Sequence, residues 1–179
     1  HMGVIDLADE DNILMITPSV TGVDGVMFPN AFRTCFTDPM QGVIMAEYAL
    51  SVGAKKIAII YNHSEEYSTG IKDVFVKEIK ESNAEIVAEE GFEEGATDMK
   101  TQLTTIKNSG ADIIFAPVYY QPASYITQQA AELEMDIPFI GTDGWDGILG
   151  VTTDAAIIEG VVYQTPFVYT DPDPAVQEY

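Results

Sequence analysis

Lys56-Ile57-Ala58-Ile59-Ile60-Tyr61 restricts the fold of this chain more than any other segment. Successive side chains of a strand point to opposite faces, so an unbroken apolar run needs cover on both. A strand of that kind belongs inside a parallel sheet with helices above and below it. The neighbouring sequence repeats the theme. Extended segments are expected at Glu85–Phe92, Asp112–Val118, Pro138–Gly141 and Glu159–Phe167. Helices are expected at Ser68–Ser82 (Ile71, Val74, Phe75 and Ile79 inward), Thr97–Asn108 (closed by Gly110) and Pro122–Glu134. A short helix is expected after Gly147. Strands alternating with helices of roughly 10–15 residues make βαβ units, and the fold class is α/β, a doubly wound parallel sheet with helices on both faces.

The flanks read differently. Asn12–Thr17 is expected as a buried strand, residues 18–29 as a Gly- and Pro-containing loop, and Phe32–Phe36 as extended. Asp38-Pro39 opens a helix, with Asp38 as N-cap and Pro39 at the first helical position, running to Gly53. Asp171-Pro172-Asp173-Pro174 begins a last helix that the chain end at Tyr179 cuts short. His1-Met2-Gly3 reads as a cloning remnant, and no signal-peptide pattern precedes the fold.

Hydrophobic residues make up 46% of the chain and charged residues only 21%, which supports a packed core rather than disorder. With 29 acids against 8 Lys and Arg the net charge is −21, which argues against a nucleic-acid partner or an anionic membrane surface. Cys35 is the single cysteine, read as a buried thiol, so no internal disulfide forms.

In open α/β sheets ligands bind beyond the carboxyl ends of the strands. Those ends lead into Asn62-His63-Ser64-Glu65-Glu66-Tyr67-Ser68, then Tyr119-Tyr120-Gln121, then Thr142-Asp143-Gly144-Trp145-Asp146. A carboxylate framed by aromatic rings suits a primary ammonium. Asp143 would supply the charge, Tyr67 and Tyr119 ring faces and hydroxyls, and Trp145 an apolar wall. The bland readings are an Asx turn or N-cap for Asp143, strand-end packing for Tyr119 and Tyr120, and core packing for Trp145. Catalytic patterns fail in turn. Gly141, Gly144 and Gly147 have the wrong spacing for a phosphate or dinucleotide loop, and His63 is the sole histidine beyond the first residue. No catalytic residue, metal site or cofactor is expected.

The landmarks Met15-Ile16-Thr17-Pro18-Ser19-Val20-Thr21, Phe32-Arg33-Thr34-Cys35-Phe36-Thr37-Asp38-Pro39-Met40-Gln41-Gly42, Tyr67-Ser68-Thr69-Gly70, Ala116-Pro117-Val118-Tyr119-Tyr120 and Gly141-Thr142-Asp143-Gly144-Trp145 stand in a specific order. Glu159-Gly160-Val161 and Asp171-Pro172-Asp173-Pro174 follow them. Together they resemble the branched-chain amino-acid-binding proteins of ABC importers, the Leu/Ile/Val-binding group of type I periplasmic binding proteins. The resemblance implies two α/β lobes joined by hinge strands. It implies an aromatic at Tyr67, a Tyr at Tyr119 and an acid at Asp143 for the α-ammonium, with Ser19 and Thr21 toward the α-carboxylate. It implies a non-catalytic solute-binding protein for a branched-chain or similar amino acid, outside the cytoplasm (periplasmic or a cell-surface lipoprotein), with ABC permease subunits as partners.

On this reading residues 1–33 are an arm left from the first lobe, 34–165 the second lobe, and 166–179 the return hinge and a truncated helix, with hinge crossings near Ala31–Thr34 and Tyr163–Phe167. The chain then holds half a site, and its own affinity for an amino acid is expected to be millimolar or weaker. The arm strand is expected to have lost its sheet neighbours, and so to pair with another copy as a homodimer, to exchange, or to lie back over the lobe. A ligand-sensing regulatory domain of the same fold is the alternative function, and a Rossmann-like enzyme the third.

Overall fold

The computed structural model describes residues 1–168 and 170–178. The elements are α1 (Ile5–Glu10), β1 (Met15–Thr17), β2 (Ala31–Arg33), α2 (Asp38–Ser51), β3 (Lys56–Asn62), α3 (Glu66–Lys80), β4 (Glu85–Phe92), α4 (Lys100–Ser109), β5 (Ile113–Ala116), α5 (Tyr120–Glu132), β6 (Phe139–Gly141), β7 (Val162–Tyr163) and α6 (Pro174–Gln177). Short 3-10 turns lie between them, including Asp143–Trp145, Ile148–Gly150 and Ala155–Ile158. Among the described residues the strands form two sheets, β1-β2 and β4-β3-β5-β6-β7, and every pairing is parallel.

The pleat of β3 explains the layers. Ile57 and Ile59 face one side, where Met45, Ala46 and Ala49 of α2 and Ile71, Phe75 and Ile79 of α3 cover them. Ala58 and Ile60 face the other, against Leu103 and Ile106 of α4 and Ala123, Ile126 and Ala130 of α5. All four strand residues are fully buried. Burying each isoleucine side chain contributes about 1.5–3 kcal/mol, so the middle of the sheet carries much of the hydrophobic drive. Gly110 closes α4 with φ +75, the left-handed conformation that glycine adopts without a Cβ clash.

Several boundaries differ from expectation. Thr37, not Asp38, is the N-cap of α2; Asp38 is its first helical residue, because its carboxylate turns inward to Thr21 and Gln41 instead of back onto the helix amides. Helices α3 and α5 begin at Glu66 and Tyr120, which puts Tyr67 in a helical first turn. The expected strand Glu159–Phe167 shrinks to Val162–Tyr163, since Gly160 turns the chain at φ +82, the Val161 N–H closes back on the Ile158 carbonyl, and β7 pairs only with Ile140 and Gly141. The arm strand is neither buried nor without a neighbour. It pairs with β2 from Met15↔Ala31 to Thr17↔Arg33, and Ile13, Leu14 and Ile16 are exposed. Cys35 is half-buried rather than buried, its Sγ 3.5 Å from the Val20 carbonyl. The helix expected after Asp171 is α6, with Asp173 as its N-cap; Tyr169 and Tyr179 lie outside the described residues.

Candidate functional site

In the strand order β4-β3-β5-β6-β7 the chain leaves β3 in one direction for β4 and in the other for β5. The crevice between β3 and β5 is therefore the topological switch point, where ligands of doubly wound sheets bind. Tyr67 enters from the helix after β3, Tyr119 from the segment after β5 and Asp143 from the turn after β6. The three sequence-expected residues meet there. The rings of Tyr67 and Tyr119 stack with centroids 4.5 Å apart and planes inclined by 15°. The Tyr67 hydroxyl donates to Asp143 Oδ1 at 2.5 Å. Having given its one proton, it accepts from the Gly144 backbone N–H at 2.9 Å, and it lies 2.8 Å from Thr142 Oγ1. Gly144 must be small: a Cβ there would stand 2.9 Å from both the Tyr67 hydroxyl and the Val118 carbonyl.

Electrostatics bias the site toward a cation. Burial, then the Asp143 charge, hold the Tyr67 phenol far above its ordinary ionisation range. Tyr119 is pushed up to about 12, by burial first and then by Glu65, Asp143 and Asp38. Burial and the neighbouring Asp143 raise the carboxyl of Asp38, and burial and Glu94 raise that of Glu65. Among the described residues the ion pairs join Lys72 to Asp73 and Glu89, and Lys100 to Glu132, all away from this crevice. No group of three or more His, Cys, Asp or Glu among them is arranged to hold a metal ion.

The arm supplies the facing wall. A cavity of about 240 Å³ is lined by Ser19, Val20, Thr21, Gly22, Asp38 and the two tyrosines, among others. Pockets for drug-sized ligands run to roughly 300–1,000 Å³, so this one suits a small molecule. Ser19 is exposed and Thr21 buried. Their loop is tied down by Thr17, whose Oγ1 accepts the N–H groups of Ser19 (3.3 Å) and Val20 (3.0 Å). Arg33 holds the same loop by donating to the carbonyls of Val20 (3.1 Å), Thr21 (2.9 Å) and Val23 (2.9 Å).

Trp145 is a correction. It is fully buried, so it forms no wall of the crevice. Its indole N–H donates to the Ala116 carbonyl at 2.8 Å and its ring tilts against Phe139 with centroids 6.4 Å apart. The ring fits because residue 141 is glycine; a Cβ there would stand 2.6 Å from indole atoms. Sequence reasoning also passed over Asp38 and Gln41. Gln41 is fully buried, and its Oε1 accepts the Asp143 backbone N–H at 3.1 Å while its amide lies 3.5 Å from Asp38 Oδ1. The available signal was a glutamine three residues after an acid, near the start of an apolar helix. It reads as local helix chemistry unless the loop after β6 is known to be adjacent.

The family model described as periplasmic binding protein matches residues 1–179. Leu/Ile/Val-binding protein homolog 3 of Brucella melitensis is 29% identical over 144 residues, covering 79% of this chain and 39% of that protein. The leucine-, isoleucine-, valine-, threonine-, and alanine-binding protein of Pseudomonas aeruginosa is 24% identical over 165 residues, covering 90% of this chain and 44% of its own length. Among solved structures, the branched-chain amino acid transporter substrate binding protein LivJ from Streptococcus pneumoniae, in complex with isoleucine, superposes with a TM-score of 0.84 at 29% identity, over 94% of this chain and 48% of that one. A leucine binding protein from Thermotoga maritima reaches a TM-score of 0.89 at 24% identity, over 99% and 51% respectively, a likeness of fold. The chain thus spans about half or less of the length of these relatives.

Proposed function

The chain belongs to the periplasmic binding protein family, and from that premise we propose that it carries the ammonium-binding half of an amino-acid site in a solute-binding protein of an ABC importer. The observation that carries this reading is the Tyr67–Asp143–Tyr119 constellation at the switch point. Asp143 accepts the α-ammonium, and the stacked tyrosines give it a polarisable, water-poor flank. Ser19 and Thr21 on the arm face the α-carboxylate across the small cavity. Residues 34–165 act as the second lobe, and residues 1–33 and 166–179 as pieces of the first.

The role is capture without chemistry, performed outside the cytoplasm and handed on to permease subunits. The names of the relatives support a branched-chain or similar aliphatic amino acid. They lend no support to a homodimer through the arm. Two-lobe traps gain affinity by closing over both ends of a ligand, so this chain alone should bind at millimolar strength or below. Nuclear magnetic resonance titration of the chain with leucine, and with 4-methylpentanoate, which lacks the ammonium, tests the reading. Leucine should move the amides of residues 142–145, and the deaminated acid should not. Equal responses to both would discard the ammonium site.

A further inference from the structure

Resting on that reading of Asp143, we infer that Asp38 is a second ligand-contacting carboxylate, so that the ammonium seat is a pair of acids bridged by Gln41 rather than a single acid. Asp38 is 7% exposed and lines the same cavity as Ser19, Thr21, Tyr67 and Tyr119. It takes a hydrogen bond from Thr21 and a long one, 3.5 Å, from Gln41. A carboxylate has about four lone-pair positions, so acceptor capacity is left for a ligand. Asp143 has already given Oδ1 to Tyr67.

The surroundings leave the pair uncompensated. The charged and titratable groups around Asp38 and its cavity are Asp24 from the turn at Val23–Val26, Arg33 from β2, Asp143 from the turn after β6, Glu66 and Tyr67 from α3, and Tyr119 ahead of α5. Arg33 is the cation among these described groups, and its guanidinium is engaged by three backbone carbonyls. A buried acid is harder to ionise beside a second acid. Burial and Asp143 accordingly raise Asp38's pKa in the empty protein. A primary ammonium placed between the two relieves both effects. Asp38 then passes its proton to solvent, and affinity rises with pH through the Asp38 titration and levels off above it.

The experiment titrates leucine into the wild-type chain, Asp38→Asn and Asp143→Asn across mildly acidic to neutral pH. Backbone amide shifts give the affinity, and the side-chain carboxyl carbon of Asp38 gives its protonation. At neutral pH Asp38→Asn should bind about tenfold more weakly, the scale of one charge-assisted hydrogen bond, and its affinity should no longer depend on pH in the acid range. In the wild type, saturating leucine should move the Asp38 titration to lower pH. That measurement needs no variant, so a misfolded Asp38→Asn does not rescue the idea. If leucine binds, Asp143→Asn abolishes binding, and the Asp38 titration and Asp38→Asn affinity stay as in the wild type, the second carboxylate is wrong and the Asp143 reading stands. If leucine does not bind, or binds all three proteins alike, the Asp143 reading falls and this inference falls with it.

Discussion

The five-stranded sheet and the two-stranded arm are both parallel, yet they are held by different forces. In β3 and β5 consecutive apolar residues are buried almost completely, because α2 and α3 cover one face and α4 and α5 the other. In the arm, β1 buries Thr17 and β2 buries Ala31, while Ile16 and Phe32 between them are more than half exposed. Polar clamps hold the arm instead: Arg33 on the Val20, Thr21 and Val23 carbonyls, and Asn30 donating to the carbonyls of Ala8 (2.9 Å) and Ile13 (2.7 Å). Apolar sequence alone does not make a core; it needs partners on both faces. Tyr67 and Asp143 therefore stand on a rigid frame, and Ser19 and Thr21 on one that opens at lower cost.

The strongest test strikes the frame. Trp145→Ala should cost about 3–5 kcal/mol of stability, as loss of a buried aromatic does, and it also leaves the Ala116 carbonyl without its indole donor. Urea unfolding followed by circular dichroism measures this. A loss below 1 kcal/mol would mean that the buried ring contributes no more than an exposed arm residue, and the contrast would collapse. The next largest effect is expected at the junction of frame and site. Tyr67→Phe removes the partner of Asp143 and of the Gly144 N–H and should cost about 1–3 kcal/mol, with leucine-induced shifts lost as well. Thermal unfolding and the same titration report both.

The frame was legible in the sequence because its signals are local and redundant. The Ile57–Tyr61 run, the period of Ile71, Phe75 and Ile79, and Gly110 each place an element without reference to the others. Tyr67, Tyr119 and Asp143 could be brought together from strand-end logic alone. Trp145 could not be resolved, since its direction depends on the missing Cβ of Gly141, a contact between strand and turn. Asp38 was hidden for a related reason: an acid beside a proline at a helix start satisfies a local rule, so its inward turn toward Thr21 and Gln41 shows only in three dimensions. The arm was misjudged because four apolar residues in a row look the same whether or not anything packs on them.

Asp38 also lets the comparison be sharpened through pH. Its pKa is raised in the folded protein, chiefly by burial, so the native state holds a proton that the unfolded state releases. The corresponding stability is complete below the unfolded pKa of about 3.9 and is lost as pH rises through the folded value. Asp38→Asn has no proton to lose. The melting temperature of the variant relative to wild type should therefore climb from acid to neutral pH, read by scanning fluorimetry across that range. A difference that stays flat, or falls, would show that Asp38 ionises freely at the rim of the frame.

The smallest expected effect is in the arm. Ile16 is 62% exposed and sits mid-strand opposite Phe32. Ile16→Thr keeps a β-branched side chain suited to a strand and removes little buried surface, so stability should change by no more than about 0.5 kcal/mol. Amide exchange should agree, with β1 amides opening far more readily than those of β3, because few buried contacts must break to free them. A loss approaching that of Tyr67→Phe would overturn the contrast from the other side. It would mean that the outer face of β1 is covered in solution, and that Ser19 and Thr21 rest on a frame as cooperative as the one that holds Asp143.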